Sequence, residues 1–505
     1  MSQGRVTKTQ GEGIKEGQDS LPRQTTVGTK VRNRVRLTAD QQFSSTMDML
    51  RRIADACYQA ELSEPTLQPT RPEENQDKFS LAIKDGEMTD DEFEALMTRV
   101  VVNTPRTGSH TFFNQLFGAR NHPAMMADML ATMTNISMHT YKVAGVHVNI
   151  EKEVISTLLD YAGFPDGDGI FVPGGSSANQ LAMMVARNET VPGIAKTGIC
   201  GKALTTYISD QSHYSHIKNA MCLGLGSDNI RTIPSDDQGK MNTQALEQAI
   251  CEDNHQGFQP FLINATAGTT VLGAFDPIEE ITAIAAKYQL WTHIDAAWGG
   301  GAFLSQARKQ ALLQGAARAD SITWNAHKMM NVPVLASCVL FRQQGMLARH
   351  CALKSDYLFQ ANEDTWNPGL KSMQCGRKND AFKVWAAWKY FGKEGYARRI
   401  EKQFQLTDYA ADCVRNDPDF ELVIPPQSLN LCFTVKKMNA IDLCNGLNEA
   451  GICMVGYGTW KNLTFVRLIL LNPDLESQDI DGFFQQVKDY IANKQNIGKT
   501  FSKDI

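Results

Sequence analysis

Two hydrophobic periods alternate along the chain. Over 40–60, Phe43, Met47, Leu50, Ile53 and Cys57 recur at three- and four-residue steps, which predicts an amphipathic helix. Residues 63–80 are rich in Pro, Glu and Gln and read as a linker or extended arm. A second helix is predicted over 89–102, with Thr89 ahead of Asp90 and Asp91 as its start signal. From about 125 to 375, helical runs (151–162, 178–187, 278–288) sit between short apolar or β-branched runs (205–208, 261–264, 292–294, 321–324, 336–341). Such alternation predicts an α/β layered domain on a mostly parallel sheet. Further on, helices over 380–391 and 396–416, strands over 429–435 and 463–470 and a last helix over 478–493 predict a smaller α+β domain. The expected organisation is a basic, structureless tail (1–36), a helical and arm segment (37–120), a large domain (121–375) and a small C-terminal domain (376–505).

Composition narrows the class. A chain of 505 residues is too long for one simple core. A net charge of −5 argues against nucleic acid as a partner, and the lack of an eighteen-residue apolar run argues against a membrane span. The tail lacks the apolar core of a signal peptide, and Glu12, Glu16 and Asp19 favour a plain tail over a transit peptide. The eleven cysteines are scattered without Cys-x-x-Cys pairs, which fits reduced thiols in a cytoplasmic protein and no metal site.

In a parallel sheet, ligands bind beyond the carboxyl ends of the strands. That rule gathers 264–270, 295–301 and 325–331 on one rim. Lys328 follows one apolar strand, and Asp295 ends another before three glycines. Chemistry that forms an imine on a pyridine cofactor needs both, a lysine for the imine and a carboxylate to keep the ring nitrogen protonated. A solvated lysine, a metal ligand or a helix cap are the plainer readings of the same residues. Gly174-Gly175-Ser176-Ser177 before a helix is a phosphate site or an ordinary N-cap. His213 after a strand is a ring-stacking imidazole or a structural one. Thr266 is a ring neighbour or a capping residue. The loop 103–121, with its aromatics and amides, reads alone as a surface turn on an aromatic anchor.

At Asp295-Ala296-Ala297-Trp298 and Asn325-Ala326-His327-Lys328 the chain resembles the group II pyridoxal-phosphate amino acid decarboxylases, in the glutamate, cysteine sulfinate and aspartate decarboxylase branch. The resemblance runs from about 100 to 495. It includes Phe112-Phe113-Asn114-Gln115-Leu116, Ser212-His213-Tyr214-Ser215, the run from Gly268 to Pro277, and Gln374-Cys375-Gly376-Arg377. It implies a fold-type I, aspartate-aminotransferase-like architecture with a seven-stranded sheet, pyridoxal 5'-phosphate as cofactor, and a homodimer with active sites at the subunit boundary. Lys328 resembles the cofactor-binding lysine, Asp295 the ring-nitrogen partner and His213 the stacking histidine. Gly175, Ser176, Asn325 and His327 match phosphate-side positions, Thr266 and Ala297 positions near the ring, and Arg467 the arginine for the substrate α-carboxylate.

Two departures stand out. Ala326 replaces a usual proline. The loop 361–369 is shorter than in the animal enzymes and lacks their tyrosine, which leaves His213 as candidate proton donor and predicts some abortive transamination. For the substrate, Gln115 and Phe117 fall where the glutamate enzyme has glutamine and serine. A phenyl ring removes a hydroxyl and fills volume, so a shorter acidic side chain is expected, unless Phe117 only packs. His139 stands where the branch has Phe or Tyr and adds a donor for a sulfinate or carboxylate. Aspartate or cysteine sulfinate is the expected substrate. Glutamate is the second reading, and another fold-type I activity such as an aminotransferase the third.

Overall fold

A computed structural model describes residues 38–66, 71–83, 85–199, 201–353, 355, 357–359 and 364–501. The tail expected over 1–36 lies outside them. The chain divides into two units, Met1–Arg52 and Ile53–Ile505. The first contributes only the start of the Ala39–Ser63 helix to the described residues. The Asp90–Val102 helix opens with a capping box, in which the Thr89 hydroxyl accepts from Glu92 N (3.2 Å) and Glu92 accepts from Thr89 N (2.7 Å). The stretch expected as a linker contains a short helix, Pro72–Lys78, which starts on its proline.

The large sheet has seven strands: β1 (Asp168–Val172), β2 (Leu204–Ser209), β3 (Ile230–Ile233), β4 (Gln259–Thr266), β5 (Trp291–Ala296), β6 (Ser321–Asn325) and β7 (Ser337–Phe341), in the order β1-β7-β6-β5-β4-β2-β3. All neighbours from β3 to β6 pair in parallel; β7 runs antiparallel to both β6 and β1. Strands β4 to β7 are buried on both faces, as a parallel sheet covered by helices requires. One covering layer includes the Val146–Ala162 helix and the first half of the Asp380–Asn416 helix, packed with Trp298, Trp324 and Phe303; the last two rings stack at 5.1 Å. The Gly175–Thr190 helix covers the other face with Ala178, Leu181 and Val185 against Val339 and Phe341. Residues 380–416 bend at Gly392, whose φ of 70° a helix does not accommodate.

The smaller antiparallel sheet orders β10 (Gly456–Trp460), β11 (Leu463–Ile469), β9 (Asn430–Val435) and β8 (Phe420–Leu422). Its own core joins Phe433, Leu431, Val466 and Leu468 to Phe484 of the Ser477–Phe501 helix. No helix among the described residues is long and apolar enough to cross a membrane, and the ten described cysteines are all free thiols.

Candidate active site

Register assembles the site. Thr266 of β4 pairs with Asp295 of β5, and Asp295 with Thr323 of β6; Asn325 and Val172 flank Ser337 of β7 from either side. The carboxyl ends of β1, β4, β5 and β6 are thereby level, and the turns that follow them enclose a cavity of about 240 Å³. Gly175, Ser176, His213, Thr266, Asp295, Ala297, Asn325 and Lys328 line it, together with Asn179, Gly268 and Thr270.

Asp295 is buried and takes three hydrogen bonds. Its Oδ2 accepts from Asn179 Nδ2 (2.8 Å) and His216 Nε2 (3.2 Å), and its Oδ1 from Ala297 N (3.1 Å). Burial pushes this carboxyl up, but the His216 hydrogen bond and the charge of Lys328 outweigh it and hold it below the usual carboxylate range. Lys328 sits in the turn after β6, where its N–H reaches Asn325 O (3.2 Å). Burial lowers its ammonium pKa, and Asp295 opposes the shift. The amine is thus easier to deprotonate than a surface lysine and therefore a better nucleophile.

His213 is half-buried after β2. Its Nδ1 accepts from Ser215 N (3.2 Å), so the neutral ring carries its proton on Nε2. Burial lowers its pKa, partly opposed by Asp295. Ser212 and Thr266 hydroxyls meet at 3.0 Å, and buried Asp276 accepts Thr266 N–H at 2.7 Å, which fixes the end of β4.

The phosphate-side residues divide. The Gly175–Thr190 helix begins with no side-chain cap, so its first N–H groups stay available. A Cβ on Gly175 would lie 2.8 Å from Asn325 Nδ2 and close the gap between them. The Asn325 Oδ1 is buried without a partner. Uncapped N–H groups and a glycine cradle suit an anion, which the Asn325 amide would meet through its Nδ2 and not its oxygen. With an ionised carboxylate and a deprotonatable lysine in the same cavity, the donor set fits pyridoxal phosphate. His327 stands outside the lining; its Nδ1 lies 3.1 Å from both Ala336 N and O, and burial lowers its pKa to about 4.

The residues expected on the substrate side are not gathered in the same way. Arg467 of β11 donates from Nη1 to Thr270 O (3.2 Å), on the cavity wall, and from Nη2 to Asn114 O (2.8 Å); its Nε is buried without a partner. Gln115, next in the chain, is exposed, and Phe117 packs on Phe112 at 6.5 Å between centroids. Neither residue lines the cavity, nor does His139. The His139 ring lies 5.5 Å from that of Phe359, its carbonyl accepts Gly369 N–H (2.8 Å), and both its ring nitrogens lack partners. Nearby, Arg377 is buried and grips Glu151 at 2.6 and 2.8 Å, anchoring the Gln374–Arg377 motif to the end of β1.

Three polar residues under Asp295 were not singled out in the sequence: Asn179, His216 and His293. Signals existed. His293 and Asp295 are two apart on a strand and share a face, and His216 follows His213 by one helical step.

The pyridoxal-dependent decarboxylase conserved domain matches residues 72–436. Cysteine sulfinic acid decarboxylase of Mus musculus is 36% identical over 445 residues, which cover 83% of this chain and 90% of that protein. An acidic amino acid decarboxylase of Xenopus tropicalis is 34% identical over 440 residues, covering 83% and 86%. A crystal structure of mouse CSAD in apo form superposes with a TM-score of 0.85 at 32% identity, covering 89% of this chain and 98% of that one. With the site's donor set, these matches show that the chain belongs to the pyridoxal-dependent decarboxylase family and is a carboxy-lyase that works with pyridoxal phosphate.

Proposed function

We propose that the substrate is a short acidic amino acid, aspartate or cysteine sulfinate, which loses its α-carboxylate to give β-alanine or hypotaurine. The observation that carries this reading is Arg467, whose guanidinium donates to the carbonyl of Thr270 on the cavity wall and keeps a buried, uncommitted Nε. A fork of this kind binds a carboxylate. The names of the acidic amino acid and cysteine sulfinic acid decarboxylases support it.

In this reading Gly175, Ser176, Asn325 and His327 would hold the cofactor phosphate, Thr266, Ala297 and His213 would flank its ring, and Asp295 would face its nitrogen. Pyridoxal phosphate, when bound, supplies an electron sink for the pair left as CO₂ departs. Lys328 supplies the amine that anchors it. Arg467 orients the substrate by its α-carboxylate. His213, in its protonated form, presents Nε2–H, returns that proton to the α-carbon and is left as the neutral ring. Gln115 and His139 receive the distal acid group, and Phe117 limits its length.

A homodimer completes the site. Met126, Met129 and Met133 form an exposed apolar face on the His122–Thr134 helix, opposite buried Ala124, Ala127 and Ala131. A second copy of this chain covers it. The free thiols and the net charge of −5 support a cytoplasmic protein without nucleic-acid or membrane partners.

Product analysis with aspartate, cysteine sulfinate, cysteate and glutamate in parallel tests the assignment. The expected result is equimolar CO₂ and amine, faster from aspartate or cysteine sulfinate than from glutamate. A glutamate preference would replace it with the GABA-forming reading, and amino transfer without CO₂ would overturn it.

A further inference from the structure

The three residues beneath Asp295 belong to one hydrogen-bonded array, and its proton positions follow from chemistry. Asn179 Nδ2 lies 2.8 Å from Asp295 Oδ2 and 3.2 Å from Ser215 Oγ. A carboxylate only accepts, which fixes the amide orientation. Asn179 Oδ1 therefore faces His293 Nε2 at 3.0 Å, and that nitrogen carries the proton. His293 is buried, and burial lowers its pKa to about 3, so the ring is neutral and its Nδ1 accepts. The donor to it is the Ser321 hydroxyl at 2.8 Å, which in turn accepts from Trp291 Nε1 at 2.9 Å. Every hydrogen along Trp291, Ser321, His293 and Asn179 points towards Asp295. His216, fully buried, has Nε2 3.2 Å from the same Oδ2. A lone pair there would face another lone pair, so Nε2 also carries a proton.

We propose that His216 is a positioning residue: with the Asn179 amide at the end of the Trp291–Ser321–His293 chain, it donates to Asp295 Oδ2 and fixes that carboxylate as an oriented anion. Asp295 Oδ1 takes only the Ala297 N–H, so acceptor capacity remains for the cavity. Asp295 and His293 share one face of β5, Ser321 and Thr323 the matching face of β6, and Asn179 reaches that face from the Gly175–Thr190 helix. With His216 on the Ser215–Cys222 helix, the array thus ties four elements to one carboxylate. Partners behind metal-binding groups typically change affinity about tenfold to a hundredfold when removed, and an effect of that order is expected behind Asp295. This inference rests on the proposed role of Asp295 as the group that faces the cofactor nitrogen.

The test compares His216→Gln, which keeps an N–H donor, with His216→Leu, which fills the space without one. Two quantities are read, the dissociation constant of pyridoxal phosphate by titration of the apoprotein, and kcat and KM for aspartate. Leucine is expected to weaken cofactor binding and lower kcat about tenfold or more, with KM little changed and the apoprotein melting temperature retained. Glutamine is expected to recover most of both. Equal behaviour of the two variants, or better behaviour of leucine, would mean packing alone and would overturn the proposal. His216→Met gives the same reading if the leucine variant does not fold. If neither non-donor folds while glutamine does, His216 serves the fold rather than the cofactor, and the proposal fails. Wild-type protein that binds no pyridoxal phosphate would instead refute the role of Asp295 itself, so the two failures are distinguishable.

Discussion

Asp295 takes three hydrogen bonds, two from buried residues on helices and one from the turn that directly follows β5. At the substrate side, the Arg467 Nε and both His139 ring nitrogens take none. The floor lies on β4, β5 and β6, whose neighbours determine each position. The rim is built from the loop at Asn114–Phe117, the segment around His139 and one residue of β11. Preorganised charge acts in the reaction without moving first, so the floor suits the step common to the family. Uncommitted donors wait for a ligand, so the rim suits the choice of substrate. Substitutions at the floor should lower turnover for every substrate, and those at the rim should change which substrate is preferred.

The largest expected effect is at the floor. Lys328→Ala should abolish both the absorbance of bound pyridoxal phosphate and CO₂ release from all four acidic substrates; retained turnover would mean that another amine does the work. Next is Arg467→Met, which keeps the apolar stem and removes the fork. It should cost about a hundredfold in kcat/KM for aspartate, and Arg467→Lys should recover only part because an ammonium lacks bidentate geometry. A smaller change is expected for Phe117→Ser, about tenfold in the ratio of aspartate to glutamate kcat/KM, in favour of glutamate. An unchanged ratio would reduce Phe117 to packing against Phe112. The smallest is a pH effect. Burial places the His213 pKa below the ordinary value, so its protonated fraction is minor at neutral pH and grows as pH falls. If His213 returns the proton, kcat should rise about two- to threefold from about pH 7 to about pH 6.5, and His213→Gln should flatten that limb.

Most of the fold was legible because burial on both faces of the sheet imposes apolar runs. The predicted strands 261–264, 292–294 and 321–324 each stop short of the observed ends at Thr266, Ala296 and Asn325. The missing residues include Thr266, Asp295 and Asn325, polar positions held in the strand by pairing with neighbours rather than by hydrophobicity. Function interrupts the pattern where the cavity begins. Strands β1 and β3 were missed for related reasons: one opens with Asp168-Gly169 and the other is a half-exposed edge. The helical pattern over 380–391 and 396–416 anticipated the bend at Gly392. Lys328 and Asp295 were legible as candidates because a carboxylate ending an apolar strand is costly to bury without a partner. The array under Asp295 was not, because Asn179, His216 and His293 come together only through the packing of two helices, Gly175–Thr190 and Ser215–Cys222, against β5. Gln115, His139 and Arg467 carry no periodic signal, and only resemblance to a family drew attention to them.

The central claim is that an ionised Asp295, held in place from below, makes the cavity a decarboxylation site. Asp295→Asn keeps the shape and removes the charge. CO₂ release from aspartate should be measured for this variant and for wild-type protein, both saturated with pyridoxal phosphate. The account predicts a loss of about a hundredfold to a thousandfold in kcat. Turnover within a few-fold of wild type would contradict it.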